Sequence, residues 1–149
     1  MSTVDDTTRS LSKTLAAVID SMPSGSGPLY GIAVHVAFAN IVRFQGLRGI
    51  GLSDVETTFN LLPDSYYGSK ESIRTDVILR DDIGDIIAIY DVKTGGATIR
   101  PQRAAEIRAK TKTGNNIPII ELNVSRGVML KYHQLVELRT AFPFPVHRS

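Results

Sequence analysis

The chain reads as an α/β protein with a central mixed sheet flanked by helices, and three observations predict it. The apolar run 86–90 leads into Asp91-Val92-Lys93 and stops at Thr94-Gly95, and a second strand-like run, 72–79, precedes it across the Asp- and Gly-rich stretch 80–85. Two such runs separated by turn residues make a β-hairpin. Residues 101–110 follow with a helical pattern and 117–122 with a short apolar run, so strand, helix and strand fall within about 35 residues and imply a right-handed parallel crossover. Upstream, 11–22 and 31–44 carry helix-like apolar content.

Taken in order, Leu11, Leu15, Val18, Ile19 and Met22 recur at helical spacing and predict an amphipathic first helix. Pro23-Ser24-Gly25-Ser26-Gly27-Pro28 breaks it with the composition of a flexible connector. The chain therefore divides into 1–28, a helix with its Pro/Gly/Ser linker, and 29–149, the main domain. The first helix is either an appendage packing on that domain or a remnant of the join to a larger polypeptide. Residues 31–44 are apolar nearly all round, which marks a buried helix against a sheet. The glycine-rich 45–51 lacks the Gly-Lys-Ser/Thr ending of a phosphate-binding loop and reads as a turn before a first strand near 54–59. Pro101 suits the first turn of the later helix, which ends near Gly114-Asn115-Asn116. Val128, Tyr132, Leu135 and Val136 suggest a closing helix, and Pro143 and Pro145 keep the tail extended.

At 149 residues the chain is an ordinary single domain, able to bury about two-thirds of its unfolded surface. With 42% hydrophobic and 21% charged residues it is not a wholesale disordered chain. No apolar run reaches the roughly 18 residues of a spanning helix, and no signal peptide is expected. Cysteine is absent, which excludes a disulfide framework and thiolate zinc sites. A net charge of +2 permits nucleic-acid binding without demanding it.

Side chains alternate faces along a strand, so Asp91 and Lys93 point the same way. A carboxylate beside an ammonium at the mouth of a sheet suits a metal-dependent phosphodiesterase: the acid binds a hard cation and the lysine orients water or offsets phosphate charge. The hairpin brings Asp76 close to Asp91. Of the cations on and after the helix, Arg100, Arg103 and Lys110 lie roughly on one face, and Gln102 and Arg103 start nearest the site; phosphate contact and a solvated face answered by Glu106 both fit. Arg74, on the face of Asp76, is a further nucleic-acid contact or a neutralising ion-pair partner. His35, on the apolar helix, reads as a satisfied core histidine before a general base, and His133 and His147 show no ligand spacing. Tyr66 or Tyr67 can stack on a base or cap a core.

Asp76, fourteen intervening residues, Asp91-x-Lys93, then a helix and a buried strand together resemble the PD-(D/E)XK nuclease superfamily over about residues 30–125. The resemblance implies a restriction-endonuclease-like αβββαβ core and makes 29–149 a nuclease domain. Asp76, Asp91 and the Val92 carbonyl are then the ligands of Mg2+ (or Mn2+), and Lys93 assists hydrolysis. The segment from Tyr67-Gly68-Ser69 through Arg74-Thr75-Asp76-Val77 to Tyr90-Asp91-Val92-Lys93-Thr94-Gly95 is similar to the nuclease toxin domains of bacterial polymorphic toxins. That likeness implies a nucleic-acid substrate, DNA favoured, a cognate immunity protein, and synthesis in a bacterial cytoplasm before delivery to a target cell. An RNA-cleaving toxin and a repair or junction-resolving nuclease share the same pattern, and the oligomeric state stays open. Many members place a further acid on the helix before the sheet; the helix near 30–45 has none. Glu56 is the nearest substitute, with a solvated strand residue as its equal alternative, and His35 occupies the helix that lacks the acid.

Overall fold

The hairpin forms as its pattern requires. β2 (Ser72–Arg80) and β3 (Ile86–Thr94) run antiparallel with Ile78 opposite Ile89 and Leu79 opposite Ala88. A computed structural model describes residues 4–23, 25–60, 72–96, 98–124 and 128–132. Around the hairpin it places α1 (Val4–Ser21), α2 (Gly27–Gln45), a 3-10 turn (Leu52–Asp54), β1 (Val55–Asn60), α3 (Pro101–Thr111), β4 (Ile119–Val124) and β5 (Val128–Tyr132). The sheet order is β1-β2-β3-β4-β5. Among the described strands only β3 and β4 are parallel, joined through α3; the other neighbours are antiparallel. From α2 to β4 the order is αβββαβ, a mixed α/β sheet compatible with a restriction-endonuclease-like core.

Alternation along β3 divides the interior. Ala88, Tyr90 and Val92 join Val77, Leu79, Ile120 and Leu122 beneath Leu11, Leu15 and Val18 of α1 and Val34, Phe38 and Val42 of α2. Ile89 faces the other way and packs with Ile119, Ile99 and the α3 residues Ala104 and Ile107. Asp91 and Lys93 of β3 share that second face, because they lie in phase with Ile89. Tyr90 is fully buried and its hydroxyl lies 2.7 Å from Thr8 Oγ1, tying α1 to the central strand. Burial pushes its phenol well above the ordinary tyrosine range.

Residues 45–51 form the expected turn. Gly46 caps α2 in the left-handed region (φ 60°), and Gly49 (φ 86°) accepts a bond from Arg80 N at 2.8 Å. A Cβ at Gly49 would stand 2.5 Å from the Arg80 carbonyl oxygen, so only glycine lets the loop approach β2 this closely. The buried Asp54 then pairs with Arg80 Nε at 2.9 Å and accepts the Gly51 N–H.

Two expectations are corrected. α2 is not buried all round: Val34, Phe38 and Val42 face the sheet, whereas Leu29 is 82% and Phe44 92% exposed, with Ile32 and Val36 also outward. A helix laid on a sheet presents one stripe to it, whatever the polarity of its remaining face. Val128 and Tyr132 belong to a strand, not a closing helix: β5 pairs antiparallel with β4, Leu122 opposite Leu130 and Ile120 opposite Tyr132. Cross-strand pairing overrides the helical spacing there. Leu135, Val136, Pro143 and Pro145 lie outside the described residues.

Candidate functional site

The β2–β3 register runs from Arg80 opposite Ile86 to Val77 opposite Tyr90. Beyond that point side chains serve the β3 backbone. Asp76 Oδ2 accepts the Val92 N–H at 2.7 Å, and His35 of α2 lies with Nε2 2.9 Å from the Val92 carbonyl oxygen. The other ring nitrogen of His35, Nδ1, is 2.8 Å from the Gly31 carbonyl. Carbonyl oxygens only accept, so both nitrogens donate and the ring is an imidazolium. Asp76 Oδ2 is 3.7 Å from Nε2, an ion-pair distance too long for a hydrogen bond. The Asp76 carboxylate, outweighing burial and assisted by the two carbonyls, raises the His35 pKa from 6.5 to about 9. His35 is thus a satisfied histidine, and it is satisfied by the site.

Asp91 is 3% exposed, and Lys93 Nζ stands 2.8 Å from its Oδ2. The contact is an ion pair without hydrogen-bond alignment, and Oδ2 has no hydrogen-bond partner among the described residues. Burial pushes the Asp91 carboxyl above the usual range, Asp76 adds to this, and Lys93 and Arg103 pull it back. Asp76, Asp91 and Lys93 are therefore gathered into one electrostatic unit. Arg103, half-buried on α3, joins them and donates to the Arg74 carbonyl at 3.1 Å.

The remaining residues named from the sequence fall around this centre. Arg74 is half-buried on β2; Arg100 caps α3, and both it and Gln102 are exposed. Glu56 adopts the left-handed region (φ 57°), uncommon for a residue with a side chain, and pairs with Arg43 of α2 at 3.3 Å. No three His, Asp or Glu side chains form a metal-holding group among the described residues. Tyr66, Tyr67, Lys70, Glu71, His133 and His147 lie outside the described residues.

One residue escaped the sequence reading. Glu121 of β4 is 2% exposed and stands opposite Asp91 in the parallel register. Its Oε1 accepts the Thr98 hydroxyl and the Ile99 N–H, each at 2.7 Å, which fixes the chain leading into α3. Oε2 is buried without a hydrogen-bond partner among the described residues. The available signal was a carboxylate inside the apolar run Ile117-Pro118-Ile119-Ile120-Glu121-Leu122, since buried acids are rare unless paired or metal-bound. Glu121 Oε2 is buried without a hydrogen bond among the described residues, whereas Asp91 Oδ2 faces the Lys93 ammonium at 2.8 Å; carboxylate oxygens are hard donors of the kind that suits a small divalent cation such as Mg2+ or Mn2+. A cleft of about 500 Å³ opens between the start of α2 and the end of β3, lined by Gly25, Ser26, Tyr30, Thr94, Gly95 and Gly96 among others.

No protein-family model matches the chain, and no curated protein does. A solved structure described as "cryoEM structure DrdV-DNA complex" is similar at 16% identity with a TM-score of 0.36. The match covers 86% of this chain and 12% of that one.

Proposed function

We propose that the protein is a metal-dependent nuclease that hydrolyses phosphodiester bonds of nucleic acid, with DNA the favoured substrate. The observation that carries this reading is the gathering of Asp76, Asp91 and Lys93 at the point where the β2–β3 ladder gives way to side-chain contacts. Asp76 and Asp91, with the Val92 carbonyl, would hold magnesium or manganese. The cation, when bound, acts as a Lewis acid on the phosphate and lowers the pKa of a bound water. Lys93 orients that water and offsets charge developing on the phosphate oxygens. His35, charged and held by two carbonyls, faces Asp76 at ion-pair distance and holds the Val92 carbonyl. Arg103 adds positive charge beside Asp91, where a phosphate flanking the scissile bond approaches. The wording of residues 67–95 supports the narrower assignment of a bacterial toxin domain, delivered to a competing cell and neutralised in its producer by a cognate immunity protein.

Purified protein incubated with plasmid and with total RNA, in Mg2+ or Mn2+ and again with EDTA, tests the reading. Cleavage is expected with the metal and lost with EDTA, and Asp91→Asn and Lys93→Met should each lower turnover by orders of magnitude at unchanged circular dichroism. Wild-type protein inert on both substrates, or an Asp91→Asn variant as active as wild type, overturns it.

A further inference from the structure

The outer face of α2 is apolar and open to solvent: Leu29, Ile32, Val36, Ile41 and Phe44 are between 40% and 92% exposed. At 3.6 residues per turn, Leu29, Ile32, Ala33, Val36, Asn40 and Phe44 fall within about 120° of one another. They lie opposite the stripe of Val34, Phe38 and Val42 that packs on the sheet. Taking about 200 Å² for each large side chain, the exposed fractions amount to roughly 600 Å² per copy. Each partner in a standard protein interface contributes about 800 Å², and an apolar patch of this size on a monomer marks an interaction site. The stripe carries no charge. Arg43, the only Lys, Arg, Asp or Glu of α2, pairs with Glu56. A charged partner surface would lose its hydration against this face with nothing in return. The basic flanks that hold a helix on a lipid surface are missing.

The stripe is symmetric about the midpoint between Val36 and Ala37. Leu29 and Phe44 lie equally far from that point, and so do Ala33 and Asn40. Bulk stands at the two ends, with the small Ala33 and Ala37 near the middle. Turned end for end, the stripe meets its own complement, which a two-fold interface demands and an unrelated partner does not. We propose that two copies of the chain associate through this face about a two-fold axis, α2 antiparallel to α2, with Leu29 of each copy packed on Phe44 of the other. The alanines let the two helices approach to about 8 Å at the axis. His35 lies on the inward side of the same helix, so its bond to the Val92 carbonyl is left untouched by the pairing.

Sedimentation velocity of the full chain at micromolar concentration should show a dimer for wild type. Phe44→Glu should weaken it by roughly thirtyfold or more, the loss expected at an interface hot spot. The chain has no cysteine, so introduced thiols report the register. An equal mixture of Leu29→Cys and Phe44→Cys chains, mildly oxidised, should cross-link, whereas neither variant alone should. Like positions stand about 22 Å apart in the antiparallel pair, and a disulfide spans at most about 7 Å between Cα atoms. A wild type that stays monomeric overturns the proposal and leaves the face to another partner. A dimer indifferent to Phe44→Glu, or a cross-link formed by either cysteine variant on its own, overturns it as well. Should Phe44→Glu fail to fold, the mixture decides: a cross-link there alone supports the pairing, and none overturns it.

Discussion

Asp76→Asn separates what the Asp76 charge does from what its shape does. The amide oxygen of asparagine can still accept the Val92 N–H, but the anion beside His35 disappears. In wild type the His35 pKa is raised from 6.5 to about 9, and at 1.36 kcal/mol per pH unit a fully buried ring would gain about 3 kcal/mol. The side chain is 25% exposed, so solvent screening reduces this to about 1–2 kcal/mol. The folded-state pKa lies above the unfolded value, so the contribution is complete below pH 6.5 and is lost as pH rises through about 9. Urea denaturation across that range should show wild-type stability declining relative to Asp76→Asn, with the gap widest at the acid end. The His35 ring signals, titrated by NMR, should report a pKa near 9 in wild type and close to 6.5 in the variant. A wild-type ring that titrates near 6.5, or one that titrates identically in both proteins, refutes the reasoning.

The other expectations are simpler. Tyr90→Phe removes a hydroxyl shared with Thr8, which keeps its own bond to the Val4 carbonyl, so a loss of about 1 kcal/mol is expected by urea denaturation with cleavage unaffected. A loss several times larger would show that the hydroxyl anchors α1 more firmly than these contacts explain. Arg103→Gln should weaken nucleic-acid binding and lower the slope of log affinity against log salt by about one, as one phosphate contact disappears. An unchanged slope in a fluorescence-anisotropy titration would remove Arg103 from the interface.

The parts legible in the sequence were those governed by short-range rules. Alternation put Asp91 and Lys93 on one face, and turn chemistry over 80–85 brought Asp76 beside them. Pro101 marked the start of α3, and the crossover to β4 followed. What escaped depended on partners distant along the chain. Phe44 and Leu29 have the same polarity as Phe38, and nothing local says which side of α2 meets a sheet. Val128 and Tyr132 fit helical spacing until β4 offers an unpaired edge. The charge of His35 depends on carbonyls at Gly31 and Val92, fifty-seven residues from the ring in the second case. Glu121 acquires meaning only through a parallel register that sets it opposite Asp91.

The Val92 peptide has a consequence for how distant parts of the molecule communicate. Its side chain is locked among α1 and α2, its N–H is held by the Asp76 carboxylate of β2, and its C=O by the protonated His35 of α2. The two peptide planes that meet at the Val92 Cα are therefore each held by a side chain, one from the neighbouring strand and one from α2. α2, whose outer flank is bare hydrocarbon at Leu29, Ile32 and Phe44, is thus tied through His35 to the strand that carries Asp91 and Lys93.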